Sequence, residues 1–136
     1  MKEEIFSEII LDLYKNPVNF GHIKNHDLKV SGGNPICGDE VSFEVKVENE
    51  KIQDIKFTCK GCAISKASES MLTEMVKGKT IKEVKQMSNK EVFDSLGGVI
   101  QTRVKCALLG LMVLKRGIEK FEKSDGKKTV VEGLKI

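Results

Sequence analysis

Two hydrophobic periods run through this chain. Ile5, Ile9, Ile10 and Leu13 recur at helical spacing, which predicts an amphipathic helix over 3–14 that stops before Asn16-Pro17. Val41, Phe43, Val45 and Val47 alternate with Ser42, Glu44, Lys46 and Glu48, the pattern of a half-buried strand. Asn49-Glu50 turns the chain into a second strand, 51–59, in which Ile55, Phe57 and Cys59 alternate with Lys56 and Thr58. Ile52 is out of phase with Ile55, so a bulge is predicted near Gln53-Asp54. Leu28 to Ser31 reads as a short edge strand, and Gly32-Gly33-Asn34-Pro35-Ile36-Cys37-Gly38-Asp39 as the turn-rich loop after it.

Beyond the hairpin the period lengthens. Ile64, Ala67, Met71, Leu72, Met75 and Val76 share one helical face, predicting a helix over 62–76 that ends at Gly78. Short helices are predicted over 80–86 and 88–95, the second opened by a Ser88 cap with Glu91 three residues on. After Gly97-Gly98, Val104, Ala107, Leu108, Leu111, Leu114, Ile118 and Phe121 mark a long amphipathic helix to about Lys123. The stretch 124–136 has weak strand character at Thr129-Val130-Val131 and is expected to be a mobile C-terminal tail, leaving 1–123 as a single α+β domain.

Composition narrows the function classes. The 136 residues suffice for one domain with its own core, and no apolar run approaches the ~18 residues of a membrane span. The opening Met-Lys-Glu-Glu-Ile-Phe carries acids and no signal-like apolar region, so a cytoplasmic location is expected. In that reducing setting four cysteines point to ligands or nucleophiles rather than disulfides. The net charge of +3 comes from lysines interleaved with acids, and aromatics are 5% with no Trp, which argues against a nucleic-acid surface. His22 and His26 have i,i+4 spacing, but Gly21 and Asn25 argue against a helix there; they read as exposed loop histidines.

The chemistry gathers around Phe57-Thr-Cys-Lys-Gly-Cys-Ala-Ile-Ser65, a strand, a Gly61 corner and a helix start at Cys62. A thiol there sits beside unpaired N–H groups and the positive end of the helix dipole, which favour the thiolate. Cys106 occupies a similar place in the first turns of the long helix, and Cys37 and Asp39 lie two apart in the glycine-flanked loop. In an antiparallel hairpin the Cys37-Asp39 entry and the Cys59/Cys62 exit lie side by side. Three thiolates and one carboxylate could close a tetrahedral zinc shell, or supply the four terminal ligands of a [2Fe–2S] cluster. An oxygen ligand in place of sulfur should make such a cluster easier to release. Cys59 shares a strand face with Ile55 and Phe57 and reads as a core residue. Two other classes compete: a Cys59-Lys-Gly-Cys62 thiol oxidoreductase, for which no proline follows the motif, and a purely structural zinc site.

Asn34-Pro-Ile-Cys-Gly-Asp39, Gly61-Cys-Ala-Ile-Ser-Lys-Ala-Ser68 with Met71-Leu-Thr-Glu74 and Gly78-Lys79, and Val104-Lys-Cys-Ala107 resemble the three cysteine blocks of the IscU/NifU/SufU iron–sulfur cluster assembly proteins. Ser7-Glu8 through Asn16-Pro17 and Gly21 resemble that family's opening helix and turn, so the likeness covers roughly residues 5–122. The resemblance implies a small antiparallel sheet of about three strands with helices packed on one face. It implies a scaffold that takes sulfur from a cysteine desulfurase, binds iron, builds a transient [2Fe–2S] cluster and passes it to acceptor proteins. Cys37, Cys62 and Cys106 match the cluster cysteines, and Asp39 matches the aspartate that tunes lability and can itself ligate. Zn2+ is implied in the cluster-free form, and a homodimer stays open. Two departures stand out: Lys105 replaces the histidine common before the third cysteine, and Val99-Ile-Gln-Thr-Arg103 replaces the chaperone-read stretch, so an Hsp70-type partner is not expected. Lys105 is similar to the lysine of SufU, a zinc-bound sulfur-transfer variant, although the short 88–103 segment leaves little room for the SufU insertion. Lys105 would stabilise thiolate charge or face solvent, and Cys59 would relay sulfur to Cys62 or fill the core.

Overall fold

The computed structural model describes residues 8–36, 38–97 and 104–136. The alternating stretches form β1 (Leu28–Asn34), β2 (Asp39–Glu48) and β3 (Lys51–Lys60), an antiparallel meander with Val30 opposite Phe43 and Phe43 opposite Phe57. The predicted bulge is present: Lys46 pairs with Asp54 but Val47 with Ile52, so Gln53 is the extra residue and Ile52 returns to the buried face.

Two expectations are corrected. The sheet has four strands rather than about three, in the order β3-β2-β1-β4, because Thr129–Lys135 forms β4 alongside β1 in parallel. That pairing joins residues about a hundred positions apart, which no local pattern announces. For the same reason β1 is an interior strand, not an edge, and it runs on through Gly32 and Gly33 into the expected loop. A Cβ on Gly32 would lie 2.8 Å from Leu134 Cβ and 2.9 Å from Val113 Cγ2, so glycine here serves close approach of β4 and a helix.

The helices are α1 (Glu8–Lys15), α2 (Ala63–Val76), α3 (Ile81–Lys85), α4 (Asn89–Ser95) and α5 (Val104–Lys123). The expected helix starts at residues 3–7 and 102–103 lie outside the described residues. Both short helices open with capping boxes, Thr80/Glu83 and Ser88/Glu91, the first of them unforeseen. Helices α2 and α5 pack side by side on one face of the sheet, and Val30, Phe43, Phe57, Leu72, Leu109 and Leu114 between them are wholly buried. The segment 18–27 ties the opposite edge down: Asn19 and Gly21 bond the Phe57 backbone, and Ile23 N–H and His22 Nδ1 reach Glu44 at 2.7 and 2.8 Å. No helix among the described residues is long and apolar enough to cross a membrane.

Candidate metal centre

Three elements end at one tip of the molecule. Asp39 opens β2 immediately after the turn from β1, and its side chain leans over the corner that follows β3. A Cβ on Gly61 would lie 2.7 Å from Asp39 Oδ1 and 3.0 Å from its Cγ, so only glycine leaves that carboxyl its place. Cys62 is the N-cap of α2, with its Sγ accepting from Ser65 N–H at 3.4 Å in the role usually taken by a Ser or Asp oxygen. Cys106 lies in the first turn of α5 and is buried. Donor atoms of Asp39, Cys62 and Cys106 all lie within 4.8 Å of one another.

The electrostatics suit a cation. Asp39 is 5% exposed and its Oδ2 meets no hydrogen-bond donor among the described residues, an expensive arrangement for a carboxylate oxygen with nothing to bind. Burial pushes the Cys106 thiol up to about 12, and the neighbouring Asp39 and Cys62 push the same way. A carboxyl and two thiols packed this closely and mostly withdrawn from water are what a divalent ion would relieve. Soft thiolates beside one hard oxygen fit zinc or iron better than magnesium or calcium.

The other candidate residues divide. Cys37 lies outside the described residues; its neighbours Ile36 and Gly38 belong to the β1–β2 turn, with both amides bonded to Asn34, and Ile36 is 87% exposed. Cys59 faces inward from β3 opposite Val41, half-buried against the core and outside the Asp39, Cys62 and Cys106 group. Lys105 is exposed. The histidine segment is a loop, with Asn25 at φ 61°; His22 is paired with Glu44, while His26 Nδ1 is buried without a hydrogen-bond partner among the described residues. A hollow of about 670 Å³ opens at the same end of the sheet, lined by Asp39 and Cys59 together with Ser31, Ser42 and Thr58.

Sequence reasoning passed over Glu69. It is fully buried on α2, with Oε2 accepting from Ser65 Oγ at 3.1 Å and Oε1 without a hydrogen-bond partner among the described residues. The available signal was the run Ser65, Ser68, Ser70 and Thr73, all buried, which marks a helix enclosed on several sides and so unable to turn every charge outward.

A NifU-like N terminal domain model matches residues 5–128. The iron-sulfur cluster assembly scaffold protein IscU 1 of Archaeoglobus fulgidus is 38% identical over 123 residues, covering 90% of this chain and 80% of the relative. The zinc-dependent sulfurtransferase SufU of Bacillus subtilis is 36% identical over 138 residues, covering 88% of this chain and 93% of the relative. A crystal structure of a candidate SUF-system scaffold from Fervidobacterium islandicum AW-1 superposes with a TM-score of 0.69 at 30% identity, covering 84% of this chain and 96% of that one. With its sheet, its helices and nearly its whole length matched, this chain belongs to the NifU-like N-terminal domain family, of the IscU/NifU/SufU scaffold type.

Proposed function

We propose that the chain is an iron–sulfur cluster assembly scaffold whose cargo, a [2Fe–2S] cluster, is built at Cys37, Asp39, Cys62 and Cys106 and then passed to acceptor proteins. The observation that carries this reading is the convergence of Asp39, Cys62 and Cys106 donor atoms within 4.8 Å at one tip. Cys62 is suited to receive sulfur from a cysteine desulfurase: it is half-exposed at the start of α2, with its sulfur beside the Ser65 amide. Each sulfur atom taken as persulfide needs two electrons from a separate reductant before it becomes sulfide, and ferrous iron completes the cargo. Asp39 offers a hard oxygen among soft sulfurs, a weaker hold on iron that favours release. Zn2+ fits the same donor set in the cluster-free form.

A second reading is a zinc-dependent sulfur acceptor, favoured by the 36% identity to the Bacillus subtilis protein. That alignment runs over 138 positions against 88% of a 136-residue chain, so the relative carries segments this chain lacks. The scaffold reading is therefore preferred. Anaerobic mixing of the purified chain with a cysteine desulfurase, cysteine and ferrous iron should produce visible charge-transfer absorption that transfers to an apo-ferredoxin. Asp39→Ala should lengthen the lifetime of that absorption. Retained zinc, sulfur uptake and no cluster would instead establish the second reading.

A further inference from the structure

The tip is built in two layers, and only the outer one has been assigned. Across β2 and β3, Val41 pairs with Cys59, so Cys59 lies one step inward from the level of Asp39 and Gly61. On α2, Glu69 lies one helical turn below Ser65, and on α5, Gly110 lies one turn below Cys106. The three meet: a Cβ on Gly110 would lie 3.0 Å from Glu69 Cγ, and the Cys59 thiol faces the Glu69 carboxyl. Beneath the donors thus sits a second polar layer of one thiol and one carboxyl, walled by Phe43 and Leu72.

This layer raises a question of selection. Cys59 and Cys62 have the Cys-X-X-Cys spacing that ordinarily places both sulfurs on one metal. Yet the donor atoms that come together belong to Asp39, Cys62 and Cys106. Glu69 occupies the space between Cys59 and α5 although it is fully buried and its Oε1 has no hydrogen-bond partner among the described residues. A buried carboxyl oxygen short of donors is costly, so a carboxyl retained here calls for a reason other than stability.

We propose that Glu69 decides which sulfur atoms reach the metal: by filling the inner layer and facing Cys59, it keeps that thiol in the core and leaves the fourth donor position to the Asp39 carboxylate. The inference rests on the donor set given above. Burial, with Glu69 next in weight, pushes the Cys59 thiol up to about 12, so it stays protonated and a poor ligand at neutral pH. Removing the carboxyl takes away the acceptor that the Cys59 thiol faces, leaves that thiol free to turn toward the donors and turns a three-sulfur, one-oxygen centre into a four-sulfur one. Such a centre holds iron longer and releases it more slowly.

The test uses the full chain loaded anaerobically with Co2+ alone, whose thiolate charge-transfer absorption counts bound sulfurs. Wild type and Cys59→Ala are expected to give the same three-thiolate intensity. Glu69→Ala should gain about one third, four sulfurs against three, and lose the gain when Cys59→Ala is added. Glu69→Gln, which keeps the volume and the oxygen, should stay at the wild-type value. Glu69→Ser, shorter but still polar beside Ser65, should show the same gain and serves if Glu69→Ala does not fold. Unchanged intensity in the shortened variants, a gain that survives loss of Cys59, or a thiolate lost in Cys59→Ala alone would overturn the inference. Wild type that binds Co2+ without thiolates would overturn the donor set as well, whereas three thiolates throughout would overturn only the role of Glu69.

Discussion

Glu44 and Glu69 are both buried carboxyls, and their ionisation is shifted in opposite directions. Glu44, on β2, has a donor for each oxygen, Ile23 N–H at 2.7 Å and His22 Nδ1 at 2.8 Å. Burial pushes it up, but those hydrogen bonds outweigh burial and hold it below the usual carboxylate range. Glu69 accepts from Ser65 Oγ and is faced by the Cys59 thiol, and burial raises it to about 8 despite the opposing pull of Cys59 and Ser65. Glu69 is also the deeper of the two, with 0% exposure against 7% for Glu44, so depth and supply of donors act in the same direction. The first carboxylate clamps the 18–27 segment to the sheet. The second stands under the proposed metal centre, where Glu69 Oε1 and Asp39 Oδ2 have no hydrogen-bond partner among the described residues. One region is built for stability and the other gives some of it up.

The sharpest way to break this contrast is to separate metal binding from folding. Cys62→Ser is expected to weaken zinc binding by more than the roughly 100-fold typical of losing a supporting residue, measured by chelator competition. The serine keeps the cap of α2, so the metal-free melting temperature should move by less than about 2 °C. A large loss of stability with zinc binding intact would place Cys62 with the structural groups instead.

Next in size is the pH dependence carried by Glu69. Its folded value is raised from 4.5 to about 8, so its contribution is fully present below the lower value and disappears as pH rises through the upper one. Between those limits the metal-free chain should lose up to about 1.4 kcal/mol per pH unit, and Glu69→Gln should flatten that slope in urea titrations. A wild-type slope retained in the variant would mean that Glu69 behaves like Glu44.

Glu44→Ala should show the reverse pattern. It strands the Ile23 amide and should cost about 1–3 kcal/mol near neutral pH, with zinc affinity unchanged. Because the folded value of Glu44 is lowered, that contribution exists above the ordinary carboxylate range and is lost as pH falls through the folded value. Wild type and variant should therefore converge in acid, as read by urea midpoints. Smallest of all, His22→Ala removes only the exposed partner of Glu44, which water can replace, and should cost less than about 1 kcal/mol in the same measurement. An effect as large as that of Glu44→Ala would show that His22, and not the Ile23 amide, holds the clamp.

Much of this was legible in advance, for reasons of period and spacing. Ile52 out of phase with Ile55 announced the bulge at Gln53, because a strand must return its side chains to one face. The hairpin argument anticipated that Asp39 and Cys62 would meet, since entry and exit of an antiparallel pair are neighbours by construction. β4 was not foreseen as a paired strand, because its partner β1 is remote and supplies the parallel ladder only once the core has formed. Glu69 escaped for a related reason: a glutamate on an amphipathic helix reads as surface until a third element covers it, and Gly110 lets α5 come close enough to do so.

By itself, the order of residues determined the meander, the helical faces, the cysteine blocks and the family resemblance, all of which depend on local period and on spacing along one chain. Which donors converge, which thiol stays inside and which carboxyl loses its water were decided only by packing α2, α5 and the sheet into one body. Distances, burial and donor supply between remote residues come into existence with that packing, and the chemistry at the tip depends on them.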